Sequence, residues 1–402
     1  MDKWLRFIST GTTVVALLST CFAHSAPSKS PASTTYVITN DDNVNHNTVS
    51  FYAAGGTETA PDLTYYNAIQ TGGTGINGGF FGTARVKMVS DSSAQCVYAA
   101  DAGSGTIAGI VIQTQEVAGR FSGSENDAGD VNGIGLAVNS SYVYAGFTTS
   151  NTIGTFAIQA GCLLSFLGDI PVSGLNGGSV AGMKVHGNIL VVTYADGSIE
   201  SFDVSNGIPI PNGDEQNATG YAAAYFPDDV DITRDGHFAI FGDSSGPATV
   251  EVSDISAGKL TTTVQYTVPG LTATALGRGV NSGNVRLSPD ESLLYIANSQ
   301  GGTVTAAFFD KATGRVYGGC ISPTLSGFYN PWGYAGAIAT RDPTGTGGVL
   351  YVAEFGSNSS IAIVKVDSNG LTCTLTESSA SPVLNYLSTG LLSIEVYPPR
   401  PF

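Results

Sequence analysis

The residues in this chain best suited to chemistry are two adjacent carboxylates, Asp228 and Asp229, a third acid, Glu354, and three arginines, Arg85, Arg278 and Arg286. A carboxylate near an arginine can activate water as a general base while the guanidinium holds a carboxylate or polarises a carbonyl. Adjacent carboxylates repel each other, so burial or crowding can lift one of them towards neutral pH. A cation would also relieve that repulsion, with Asp130 and Asn132 as further oxygen donors, but no calcium-loop spacing is present. No metal or cofactor is therefore expected. Trp332 and Tyr334 lie in the aromatic run Phe328-Tyr329-Asn330-Pro331-Trp332-Gly333-Tyr334. Such a cluster stacks on a ligand or plugs a loop against its neighbour. Asn281 and Asn284 add amide groups beside it. Each charge also has a plain structural reading, as one half of an ion pair or a tie for a loop. The histidines His46, His186 and His237 are not spaced as metal ligands. The sequence contains no nucleophile elbow, phosphate loop or dinucleotide fingerprint.

Seven short apolar runs organise the chain around these residues. They begin at Tyr36, Tyr98, Tyr144, Val191, Ala239, Tyr295 and Tyr351, at intervals of 62, 46, 47, 48, 56 and 56 residues. This is the period of four-stranded propeller blades. Each unit reads as a small-residue strand, a polar turn, the apolar strand, a hairpin and two further strands. The sixth shows it most clearly, from Gly283-Asn284-Val285-Arg286-Leu287 to the turn Asp310-Lys311-Ala312-Thr313-Gly314. The first unit lacks its innermost strand, and the last is followed by a spare one, Leu391 to Tyr397. The spacing thus predicts an all-β, seven-bladed propeller of four-stranded blades, its ring closed by the C-terminal strand. In that architecture the loops leading into the innermost strands carry Arg85, Asp228, Asp229, Arg278, Asn281, Asn284, Trp332 and Tyr334. The hairpins after the second strands carry Asp41, Asp101, Asp243 and Glu354. Both sets open on the face around the central channel, the expected ligand site.

Composition sets the compartment and the partners. Residues 1–26 combine Lys3 and Arg6 with the apolar Thr12–Leu18 and small residues up to Ala26, and read as a cleaved signal peptide. Leu18-Ser19-Thr20-Cys21 approximates a lipobox, so anchoring through Cys21 is the alternative to release into a periplasm or medium. The remainder, 27–402, is expected to form a single domain with no membrane span. It keeps 14 basic and 31 acidic residues, a field that repels nucleic acid. Cys96, Cys162, Cys320 and Cys373 permit two disulfides in any of three pairings, or four buried thiols.

The segments Leu287-Ser288-Pro289-Asp290, Leu294-Tyr295-Ile296-Ala297-Asn298 and Asp310-to-Gly314 resemble the lactonase-type seven-bladed propellers, the family of 6-phosphogluconolactonase, and the related YVTN-repeat propellers. The resemblance spans the repeats from residue 27 onwards and implies a lactone hydrolase on a propeller. The family's histidine before the middle-blade turn is replaced here by Phe226-Pro227-Asp228-Asp229-Val230-Asp231-Ile232. Its Gly-Pro-Arg-His-like segment has only a loose counterpart in Gly277-Arg278-Gly279-Val280-Asn281. A phosphorylated sugar would also need cations that this acidic chain does not concentrate. The sequence therefore favours a propeller that binds a small molecule, glycan or protein at its channel face. The alternative is a hydrolase of a small unphosphorylated lactone that uses Arg278, Asp228, Asp229 and Glu354.

Overall fold

A computed structural model describes the chain from residue 35 onwards, apart from residues 58, 78–87, 91–94, 125–132, 219–226, 244–248, 269–281, 299–300, 328–333, 342–346, 356–358, 389–392 and 398–402. Residues from Thr35 form one compact unit of antiparallel sheets. The innermost strands of blades two to seven are Met88–Ser90, Ile134–Val138, Val180–His186, Pro227–Ile232, Ser282–Leu287 and Tyr334–Arg341. Blade one runs outwards through Tyr36–Asn40, Thr48–Thr57 and Ala60–Gln70. Its innermost position is filled by the C-terminal strand Ser393–Tyr397, which pairs with Tyr36–Asn40 along its whole length. The seven innermost strands neighbour one another in a closed order, the last touching the first. Closure by the C-terminal strand is thus as the repeat count implied.

Burial explains why the ring holds. Alternating residues of each strand face the two adjacent blades, and the apolar core divides into seven clusters, one per blade–blade seam. At the seam of blades five and six, for example, Val285 and Leu287 pack on Ile240, Val250 and Val252. Tyr52, Tyr98, Tyr144, Tyr194 and Tyr351 are among the largest fully buried side chains, and burying a side chain of this size contributes about 2 kcal/mol. Because every seam is an interface between neighbours, an open ring would expose one whole cluster.

Both disulfides form, and both cross seams. Cys96–Cys162 joins blades two and three, and Cys320–Cys373 ties the outer strands of blades six and seven. Blade four departs from the expected pattern at its rim. Its outermost strand is reduced to Ile210–Pro211 and Gln216–Asn217. Pro211 cannot donate to a ladder, and between the stubs the Asp214 carboxylate takes the place of strand carbonyls. It accepts hydrogen bonds from Ser201 N at 3.0 Å and from Leu260 N of blade five at 2.6 Å. No helix among the described residues is long and apolar enough to cross a membrane.

Candidate functional site

Two sets of polar groups lie on the channel side of the ring, and strand register separates them. The first set stands at the hairpin after five of the second strands, where a polar side chain meets a hydroxyl residue that opens the third strand. Asp41 accepts hydrogen bonds from Thr39, Thr48 and Ser50, and from the Asn385 amide at 2.7 Å. Asp101 accepts from Asn47 at 2.7 Å and Thr71 at 2.6 Å. Asp196 takes both the backbone N–H and the hydroxyl of Ser198, together with Asn176 N and Gly178 N. Asn298 donates to Thr303 and Thr305, and Glu354 accepts from Ser360 at 3.0 Å.

Several of these partners belong to the segment leaving the preceding blade. Asn385 follows blade seven, Thr71 follows blade one, and Asn176 and Gly178 follow blade three. Asp41, Asp101 and Asp196 are therefore clasps that fix one blade's exit onto the next, and Glu354 packs against Gly327 at the exit of blade six. Glycine marks the crossing points: a Cβ at Gly73, Gly178 or Gly327 would collide with Asp101, Asp196 or Glu354 respectively.

The clasps differ in electrostatics because they differ in donors. At Asp196, hydrogen bonds outweigh burial and hold the carboxyl below its ordinary value. At Asp41, burial outweighs four hydrogen bonds and raises it. Burial pushes Asp101 up to about 6, against hydrogen bonds from Thr71 and Asn47 and the charge of Arg120. Glu354 has the fewest donors of the hairpin acids. It is 1% exposed, and its Oε1 has no hydrogen-bond partner among the described residues. Burial pushes its carboxyl up to about 7, opposed only by the Ser360 hydroxyl and assisted by the charge of Glu377.

The second set lies on the innermost strands. Lys184 pairs in register with Val191, Asp231 with Ile240, Arg286 with Tyr295 and Glu395 with Ile38. The same level in the other blades is occupied by Val89, Ala137 and Ala339, opposite Tyr98, Tyr144 and Tyr351. The four charged residues therefore form one tier around the channel, alternating in sign from blade four through blades five and six to blade one. Lys184 Nζ lies 3.4 Å from Asp231 Oδ1, and Asp231 Oδ2 accepts the Leu287 N–H at 2.9 Å. Arg286 Nε donates to the Ile338 carbonyl of blade seven at 3.3 Å, and its Nη2 stands 3.7 Å from Glu395 Oε1. Burial opposes the charge of Arg286, but Glu395, Asp231 and Asp229 more than offset this and raise its pKa. Lys184, Arg286 and Glu395 keep 22%, 13% and 20% of their side-chain surface exposed, while Asp231 keeps 3%.

The residues expected from sequence fall unevenly on this frame. Asp229 sits on the innermost strand of blade five, two residues before Asp231, and is buried. Asn284 is buried on the innermost strand of blade six, two residues before Arg286. Glu354 belongs to the clasps rather than to the tier. Asp228 and Tyr334 lie within innermost strands, with side chains outside the description. Arg85, Arg278, Asn281 and Trp332 lie outside the described residues, as do Asp130 and Asn132. Lys184 and Glu395 were not among the sequence candidates. The signal that could have found them is a charge on a strand whose alternate positions are apolar. Among the described residues no group of three or more metal-ligating side chains could hold a metal ion.

An all-β ring of seven blades with a polar tier at its axis defines the class, a seven-bladed β-propeller. Solved structures with this fold include a candidate 6-phosphogluconolactonase from Bacteroides uniformis, at TM-score 0.67 and 15% identity, covering 90% of this chain and 99% of that one. A second candidate 6-phosphogluconolactonase, from Bacteroides fragilis, matches at TM-score 0.66 and 14% identity over 91% and 99% of the two chains. The periplasmic gluconolactonase PpgL of Pseudomonas aeruginosa matches at TM-score 0.61 and 11% identity over 89% and 100%. No family model matches the chain, and no curated protein matches it. At these identities the likeness is one of fold.

Proposed function

We propose that this chain is an exported binding propeller that takes a ligand at its channel face. The observation that carries this reading is the tier: charged side chains on the innermost strands, arranged about one axis, with Lys184, Arg286 and Glu395 partly open to solvent. The hairpin acids that burial raises, Asp41, Asp101 and Glu354, are clasps that accept hydrogen bonds from hydroxyl groups, not tier members. Export is supported by the signal-like residues 1–26 and by two disulfides, which persist in oxidising compartments.

Hydrolysis of a small unphosphorylated lactone is the second reading. Its support is Arg286, a guanidinium with Asp229 and Asp231 in electrostatic reach, on a fold shared with a gluconolactonase. Proton release by the purified protein on sugar and aliphatic lactones separates the two, run beside Arg278→Ala, Asp228→Asn and Arg286→Gln. Turnover abolished by these variants would replace the binding reading with hydrolysis. Rates equal to spontaneous opening on every lactone leave the binding propeller.

A further inference from the structure

The tier carries two positive and two negative groups, so at its level the channel has strong local fields without a net charge of its own. A ligand of single sign gains an attraction on one side and a repulsion on the other. Arg286 is the least satisfied member. A guanidinium has five N–H donors in a fork suited to a carboxylate. Among the described residues Arg286 uses one of them, Nε to the Ile338 carbonyl. Its ion pair with Glu395, at 3.7 Å, is longer than a hydrogen bond. Glu395 lies at the same level on blade one, and its carboxylate accepts no hydrogen bond among the described residues.

The tier thus places a donor fork and an acceptor carboxylate side by side, each partly open to solvent. From this juxtaposition we propose that the tier is a binding site for a zwitterionic ligand of the α-amino-acid type. The ligand's carboxylate sits on the Arg286 fork and its ammonium group on Glu395. Lys184 and Asp231, already paired, hold the charge balance of the opposite arc. This assignment rests on the binding reading above and gives it a ligand class.

Calorimetric titration of the purified protein with L-alanine and L-valine tests it, beside acetate, methylammonium chloride and glucose. The expected result is binding of both amino acids at least tenfold tighter than of acetate, methylammonium or glucose. Arg286→Gln and Glu395→Gln should each weaken amino-acid binding at least tenfold, with the near-ultraviolet dichroism of the folded protein retained. Arg286→Lys keeps the charge but loses the fork, and should weaken it as well. Should Arg286→Gln fail to fold, Glu395→Gln carries the test, since it preserves side-chain size at a site 20% exposed. Amino-acid binding that is absent, or unchanged in the folded variants, overturns the proposal. If glucose binds and the amino acids do not, the ligand class fails while the binding reading stands. Silence from the whole panel, together with turnover on a lactone, removes both.

Discussion

Replacing Glu354 by glutamine should remove a pH dependence from the stability of the ring. The carboxyl is pushed up from 4.5 to about 7 by burial, with a single hydroxyl donor to offset it. Between those values the folded protein binds a proton that the unfolded chain releases. Stability therefore falls as pH rises from about 4.5 to about 7 and is level above that. One pKa unit corresponds to about 1.4 kcal/mol, so the full loss is about 3 kcal/mol. The glutamine side chain stays neutral at every pH, so the Glu354→Gln protein shows none of this loss. Its amide adds a constant offset, because two new N–H donors must find acceptors where one carboxyl stood.

Urea unfolding of both proteins at pH 5, 6, 7 and 8 measures the effect. The informative quantity is the difference between wild type and Glu354→Gln at each pH. The raised carboxyls of Asp101 and Asp41 are common to both proteins and cancel in that difference. The difference should move by roughly 2–3 kcal/mol in favour of the variant between pH 5 and pH 8. A difference that stays flat over this range would refute the reasoning. It would mean either that Glu354 finds donors beyond Ser360 or that water reaches its carboxylate.

The seam disulfides close loops of 66 and 53 residues, so Cys96→Ser with Cys162→Ser, or Cys320→Ser with Cys373→Ser, should each cost about 4 kcal/mol; a thermal midpoint unchanged by reductant would contradict this. Asp41→Ala strands buried donors from Thr48, Ser50 and Asn385 and should cost about 3 kcal/mol, with amide exchange faster in Tyr36–Asn40 and Ser393–Tyr397. Deleting residues 393–402 removes the innermost strand of blade one and exposes Val37 and Ile38; the protein should then bind a hydrophobic dye and lose cooperative unfolding, and a sharp transition near the full-length midpoint would argue against ring closure.

The ring was legible in the sequence because blades repeat and each repeat must bury its second strand on both faces. Five of the seven apolar runs begin at the residue paired with the tier: Tyr98, Tyr144, Val191, Tyr295 and Tyr351. The other two were displaced. The tier level in blades one and five falls at Ile38 and Ile240, not at Tyr36 or Ala239, because those runs are apolar for longer and offer no single anchor. The hydroxyl residues that open the third strands, Thr48, Thr106, Thr152, Ser198, Thr249, Thr303 and Ser360, recur as regularly as the tyrosines. Read with the hairpin acids, they would have separated clasps from site candidates. The tier itself was not legible. Lys184 finds Asp231 in the next blade, and Arg286 reaches Glu395 across a whole blade. The first pairing joins strands far apart in sequence, and the second depends on closure of the ring; neither is encoded in a local pattern.

That dependence gives the two polar sets different physical characters. A clasp works within one junction, so its acid can be read from a hairpin and tested by one local substitution. The tier exists only when blades four, five, six and one stand at the same level around the axis. Its Arg286–Glu395 pair also joins the penultimate blade to the strand that closes the first. The groups that a ligand would meet at the axis are therefore those whose geometry reports whether the ring is closed. A ligand bridging Arg286 and Glu395 would bind the closed ring and not an opened one, and would stabilise it by mass action. Such a ligand should slow amide exchange most in Ser393–Tyr397 and Ser282–Leu287, the two strands that carry the pair. Added protection confined to other strands would instead place the ligand elsewhere on the ring.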